Sequence, residues 1–189
     1  MRKILILTLT ILVNYSFAQT NLDSNPTERK GFVFGFGLGR SVSTLNTNDT
    51  IQTSFTSTMP NIKVGYMLNP RFALLALVTG ANYKYKDKDR TFEAAMVAGQ
   101  YWLQDKWWAL GGAGFTFDTP ALFTVENPEV AEFYTGLPAF TVATGYEIWH
   151  KGKFTMDLQY HMFYGKSNLP NSGHRVGISN MFIVGINWY

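Results

Sequence analysis

Hydrophobic and polar positions alternate with a period of two along most of this chain. The pattern is cleanest in Lys153–Lys166, where Phe154, Met156, Leu158, Tyr160, Met162 and Tyr164 share one parity and Thr155, Asp157, Gln159 and His161 the other. Successive side chains of a strand point to opposite faces, so this pattern predicts a strand with one apolar and one polar face. The last stretch, Arg175–Tyr189, repeats it. Val176, Ile178, Phe182, Val184, Ile186 and Trp188 fall on one side; Arg175, Gly177, Ser179, Gly185 and Asn187 fall on the other, with Met181 and Ile183 as exceptions. Gly31–Arg40 sets Phe32, Phe34, Phe36 and Leu38 against a face that is largely glycine, and Asn61–Leu68 sets Ile62, Val64, Tyr66 and Leu68 against Lys63 and Gly65.

Four more stretches read as strands. Arg71–Tyr85 and Thr91–Leu103 are apolar on both parities, so their facing stays open, while Trp107–Phe117 is glycine-rich and Thr135–Trp149 carries Pro138 near its start. Pro is tolerated there because a strand's first residues need not all donate to a ladder. The connections alternate in length. Ser41–Ser57, Lys84–Arg90, Asp118–Tyr134 and Ser167–His174 read as loops at one end; Asn69-Pro70, Gln104-Asp105-Lys106 and His150-Lys151-Gly152 read as tight turns at the other. Aromatic residues gather at both ends of the strands. Phe72, Trp102, Trp107, Trp149, Phe154 and Trp188 lie near the short turns, and Tyr83, Tyr85, Phe92, Phe117 and Tyr164 near the long loops. Eight strands long enough to cross a bilayer when tilted, alternating loops and two aromatic belts predict one fold class. It is all-β: an eight-stranded antiparallel up-and-down transmembrane β-barrel.

Composition agrees. The chain holds 15 Phe, 10 Tyr and 5 Trp with 17 Gly, so strand and turn formers dominate. The N-terminus changes the picture of charge and compartment. Arg2 and Lys3 precede the apolar run Ile4–Val13, and Ser16-Phe17-Ala18 follows, which is the layout of a secretory signal peptide. The apolar run is too short for a membrane-spanning helix, which takes about 20 residues. Residues 1–18 are therefore expected to be removed, with Gln19 the first mature residue, 19–30 a polar periplasmic lead-in and 31–189 the barrel. Loss of Arg2 and Lys3 takes the formal charge from +3 to +1, which gives a nucleic-acid partner no support. There is no cysteine, hence neither a lipid-anchor thiol nor a disulfide framework.

The amphipathic closing strand ending on Tyr189, the alternating loops and the even strand count resemble the small eight-stranded bacterial outer-membrane barrels of the OmpA-barrel and OmpX type. The resemblance spans the whole mature chain. It implies insertion in the bacterial outer membrane with help from the assembly machinery, and no built-in chemistry, because this fold carries adhesins, anchors and enzymes alike. No peptidoglycan-binding domain follows Tyr189 in this sequence, so anchoring through one is not expected. A monomer is expected.

Eight strands enclose just enough room for side chains, so a filled interior is expected rather than a solute pore. A charge facing mid-bilayer lipid is costly, which turns Lys63, Glu147, Asp157, Gln159 and His161 inward as a polar network, with Lys63 pairing to Asp157, Glu147 or both. Lys84, Lys86, Lys88, Arg90, Lys166 and Arg175, with His174 beside them, crowd the long-loop end. There they could meet lipopolysaccharide phosphates through charge-assisted hydrogen bonds. Chemistry finds less support. His161, His174, Ser167, Ser172 and Glu147 do not reproduce the His-x-Ser-Asn pattern of a lipid A-modifying barrel, so a non-enzyme is expected. The three His are scattered, Asp87 and Asp89 sit in a Lys-rich loop, and the Gly35/Gly37/Gly39 and Gly111/Gly112/Gly114 runs lack the helix of a phosphate loop. No metal and no cofactor is expected. Two functions remain open: a structural or interaction barrel acting through its surface loops, and a transport barrel passing small apolar molecules sideways, for which Pro138 is the candidate break in the wall.

Overall fold

Outward Phe32, Phe34, Phe36 and Leu38 on β1 (Gly31–Thr47) alternate with inward Val33, Gly35, Gly37 and Gly39, the arrangement expected of a strand in a small barrel. The computed structural model describes residues 29–47, 50–85, 88–121, 132–170 and 172–189. The expected signal peptide, most of the lead-in, Lys86 and Asp87 lie outside these residues. Among the described residues nine strands follow in order. After β1 come β2 (Thr50–Ser57), β3 (Asn61–Asn69), β4 (Phe72–Tyr85), β5 (Lys88–Trp102), β6 (Trp107–Pro120), β7 (Tyr134–Lys151), β8 (Phe154–Asn168) and β9 (His174–Trp188).

All pairings are antiparallel between neighbours, and β9 pairs back onto β1 from Phe34↔Trp188 to Thr47↔Arg175, which closes the ring. Eight positions make the ring, because β2 and β3 share one of them. The lower part of β1, Gly31–Gly37, pairs with β3, and its upper part, Arg40–Thr47, pairs with β2. The Ser41–Ser57 stretch is therefore a β-hairpin and not a loop. Its inward Ser41 and Ser43 hydrogen-bond each other at 2.7 Å, and Ser43 bonds Ser179 on β9 at 2.8 Å. Hydroxyls satisfied in this way need no apolar period, which is why hydropathy alone reads the stretch as a loop. The ring strand is interrupted at Thr58–Pro60, where Thr58 N–H donates to the Gly39 carbonyl and Met59 N–H to the Gly80 carbonyl.

Facing of the ambiguous strands is settled by packing. Ala73, Leu75, Leu77 and Tyr83 on β4 and Phe92, Ala94, Met96, Ala98 and Trp102 on β5 are buried in the lumen, while Leu74, Val78, Val97 and Tyr101 face out. The exterior is an apolar surface running round the ring, with Val64, Phe115, Phe140, Val142, Leu158, Phe182, Val184 and Ile186 all exposed. Apolar surface on this scale belongs in lipid. Among the described residues no helix is long and apolar enough to cross a membrane; the crossing elements are strands.

The aromatic belts need correction. Trp107, Trp149 and Phe154 do face outward at the short-turn end, joined there by Tyr66, Tyr101 and Tyr146. Trp102, Tyr83 and Phe92 instead point into the lumen. The Phe92 ring lies against Phe163 at 5.8 Å and fills the space beside Gly165 and Gly177, where a Cβ would collide with it. Large inward rings facing small residues are how a narrow barrel is filled.

Candidate functional site

The lumen holds two polar networks separated by an apolar layer. Along β5 the inward residues run from Arg90 through Phe92, Ala94, Met96 and Ala98 to Gln100, and along β8 from Ser167 through Gly165 and Phe163 to His161, Gln159 and Asp157. Leu77, Met96, Phe92, Phe163 and Met181 pack into the layer between the networks.

The lower network lies near the short turns. Lys63 is 2% exposed. Its ammonium donates to Gln100 Oε1 at 3.0 Å and sits 4.8 Å above the Trp108 ring. Asp157 accepts from Trp108 Nε1 at 3.1 Å, from Asn187 Nδ2 at 3.0 Å and from Gln159 Nε2 at 2.6 Å. Glu147 accepts from Trp102 Nε1 at 2.8 Å and pairs with Arg29 at 2.8 Å. The expected pairing of Lys63 with Asp157 or Glu147 is thus replaced. Trp108 links Lys63 and Asp157, touching one with its face and the other with its N–H, and a residue from the lead-in takes Glu147.

Charges order this network outward from Asp157. A carboxylate can only accept, so Gln159 turns its amide nitrogen toward Asp157 and its Oε1 toward His161 Nε2, 2.8 Å away. Nε2 of His161 therefore carries the proton. The same reasoning turns Gln100 Nε2 and Asn187 Oδ1 away from their charged neighbours, and with His161 Nδ1 these are buried atoms without a partner. Gly35 makes room for the arrangement, since a Cβ there would run into Lys63 and Asn187.

Arg29 belongs to this site although its stretch reads as a polar lead-in. Its guanidinium is buried against the rings of Trp102, 4.8 Å away, and Tyr189, 5.8 Å away, and it also donates to the Asp105 carbonyl. The terminal Tyr189 turns into the lumen and packs edge-on against Trp102 at 5.3 Å. One cation thereby joins the start of the barrel, its last residue and the β5–β6 turn. No local signal marks Arg29.

The upper network corrects the outer rim. Arg90 and Arg175, expected to face lipopolysaccharide, are 0% and 2% exposed and point into the lumen. Both meet Asp118. Arg90 Nε donates to its Oδ1 at 2.9 Å, Tyr83 OH to Oδ1 at 2.7 Å, Ser167 OH to Oδ2 at 3.3 Å, and Arg175 also donates to Oδ2. Arg175 further reaches Thr47 Oγ1 at 2.9 Å and stacks over Tyr85 at 4.3 Å. The cause is parity: β5 begins at Lys88, so Arg90 shares the inward face of Phe92, and Arg175 opposes the outward Val176 and Ile178. Arg175's facing is legible in its own strand's alternation. Asp118, read as the first residue of a loop, is inward with Thr116 on β6.

Of the other rim cations, Lys84 is exposed and 3.8 Å from Asp89, Lys88 is half-buried, and Lys166 lies on the outward face of β8 above Tyr164. Lys86 is outside the described residues. The residues weighed for hydrolysis are held apart: His161 bonds Gln159 below the apolar layer, Ser167 bonds Asp118 above it, and His174 and Ser172 are exposed. Among the described residues no three His, Cys, Asp or Glu side chains are grouped to hold a metal.

No protein-family profile matches the chain, and no curated protein matches it in sequence. Solved structures do match. Ail, the attachment invasion locus protein of Yersinia pestis, solved with the heparin analogue sucrose octasulfate, superposes with a TM-score of 0.53 at 13% identity, over 85% of this chain and all of that one. Neisserial surface protein A superposes with a TM-score of 0.57 at 16% identity, over 84% of this chain and 96% of that one. A closed ring of eight antiparallel positions, apolar outside and filled inside, has the fold of the small outer-membrane β-barrels.

Proposed function

We propose that this protein is a bacterial outer-membrane barrel whose filled wall is a platform, with its work done at the cell surface by the long-loop end. The observation that carries the reading is the interior. The Asp118 network above and the Asp157 and Glu147 network below enclose a layer of Leu77, Met96, Phe92, Phe163 and Met181, which favours a scaffold over a conduit. The long-loop end presents the β1–β2 hairpin, with Ile51 and Phe55 each 71% exposed, as contact surface.

Sideways transport has two observations in its favour. The ring strand is interrupted at Thr58–Pro60, and Pro138, though inside β7, falls at a register shift of the β6–β7 ladder between Gly114↔Ala139 and Thr116↔Gly136. The lumen beside the interruption is occupied by Met181, whose sulfur accepts from Thr79. In planar bilayers, purified folded protein is expected to give no steady single-channel current, while the unheated sample migrates differently from the boiled one on a gel. Reproducible conductance from material that shows the gel shift would overturn the filled-platform reading.

The surface partner favoured here is lipopolysaccharide, met by the rim cations that the lumen does not claim: Lys84, Lys88 and Lys166, with Lys86 between the first two in sequence. Ail, of the same fold, was solved with a polysulfated saccharide, which supports an anionic saccharide surface as the partner class. Replacing Lys84, Lys86 and Lys88 with Gln is expected to reduce the thermal stabilisation that lipopolysaccharide confers, and to flatten its dependence on salt. Arg90 is left in place because its pairing with Asp118 is internal. An undiminished effect in the triple variant removes the β4–β5 hairpin from the binding surface.

A further inference from the structure

The outer wall of β7–β9 carries a recess that neither lumen network explains. Phe140, Thr141, Val142, Met162, Tyr164 and Ile178 line it, and it encloses about 220 Å³. Their register makes it one continuous feature, because Phe140 pairs with Tyr164, Val142 with Met162, and Tyr164 with Ile178. The Phe140 and Tyr164 rings stack at 6.4 Å with 25° between their planes and form one wall. Below, the Tyr160 hydroxyl donates to Asn180 Oδ1 at 2.7 Å, tying β8 to β9 one rung under the recess. Thr141 adds little polarity, since its hydroxyl is turned to the Met162 carbonyl at 3.1 Å.

Size and lining together select the occupant. Pockets for compact ligands run from about 300 to 1,000 Å³ and carry a few convergent polar groups. This recess is smaller, almost wholly apolar and open to the lipid side, so it suits a single hydrocarbon chain lying along the wall. Lys166 then decides the headgroup. It lies two residues past Tyr164 on the same outward face, about 7 Å further toward the long-loop end. A chain seated in the recess brings its headgroup to that level, where an ammonium on a flexible stem can reach a phosphate.

We propose that this recess is a binding site for one acyl chain of a lipopolysaccharide molecule, with a phosphate of that lipid held by Lys166. The proposal rests on the outer-membrane reading above, which puts the long-loop end of β8 in the outer leaflet. It separates a specific site from the general lipid coat of the barrel: the chain lies against the wall of stacked rings and the headgroup is anchored by one residue.

Native mass spectrometry of the detergent-folded barrel tests it, with lipopolysaccharide and phosphatidylglycerol titrated separately. Val142→Trp fills the recess from a position that is already 54% exposed. Lys166→Gln keeps the stem and removes the charge. Each variant is expected to weaken lipopolysaccharide binding about tenfold, Lys166→Gln by loss of one charge-assisted hydrogen bond and Val142→Trp by loss of the space for the chain. Dephosphorylated lipopolysaccharide is expected to bind the wild type as weakly as the intact lipid binds Lys166→Gln. Wild-type affinity in both variants would overturn the site, and equal affinity for phosphatidylglycerol would overturn the assignment to lipopolysaccharide. The heat-dependent gel shift is read on the same samples. Its loss in the wild type counts against the barrel reading; its retention with unaltered lipid binding counts against the recess alone.

Discussion

Replacing Asp118 with alanine is expected to destabilise the folded barrel by about 3–5 kcal/mol, the cost of leaving buried charge unpaired. Asp118 is the shared acceptor of the upper network, and both of its oxygens are occupied by donors from four strands. Arg90 and Tyr83 meet Oδ1, while Arg175 and Ser167 meet Oδ2. Without the carboxylate, two guanidiniums that are 0% and 2% exposed face each other in the same narrow lumen. Arg90 keeps its bonds to the Asp118 and Glu132 carbonyls, at 3.1 and 2.9 Å, which hold its position. Asp118→Asn preserves shape and loses charge, so most of the loss should persist in that variant. Urea titration followed by the gel shift measures both. A change below about 1 kcal/mol, the range of exposed pairs, would show that water reaches the arginines and that the upper lumen is open.

The second large effect is expected at the other end. Arg29→Met should cost about 3 kcal/mol or more, because Glu147 is buried and Arg29 is its ion-pair partner. Glu147 retains the Trp102 N–H, so Glu147→Gln in the Arg29→Met background should recover part of the loss. A double-mutant cycle on Arg29 and Glu147 is therefore expected to return strong coupling. The same cycle on Lys63 and Asp157 should return a smaller term, since they share no direct bond and both contact Trp108 instead. Coupling of equal size in the two cycles would mean that the lower network acts as a single charge cluster and that Arg29 has no special place in it.

Much of this architecture is written in the chain. In β1, β3, β8 and β9 the two faces meet different surroundings, lipid on one side and a crowded lumen on the other, so period-two alternation reveals each strand and its facing. Lys63, Asp157, Gln159 and His161 follow from that alternation alone. Arg175 does as well, although its place beside a loop suggests the rim. The outward Trp107 and Trp149 at the short turns and the tight turns themselves are equally local.

The tertiary structure decided the rest, for reasons that are physical in each case. On β4 and β5 the lumen is as apolar as lipid, with Leu75, Leu77 and Met96 inside and Leu74, Val78 and Val97 outside, so hydropathy cannot choose a side. Arg90's facing follows from that choice, and its charge by itself argues for solvent until Asp118 is seen opposite. Ser41 and Ser43 enter a strand because Ser179 near the far end of the chain completes their hydrogen bonds. Arg29 becomes structural through a carboxylate 118 positions away and the ring of the last residue. Alternation is a property of neighbouring residues and survives in the sequence; pairing across a closed ring depends on which strands meet, and ring closure alone determines that.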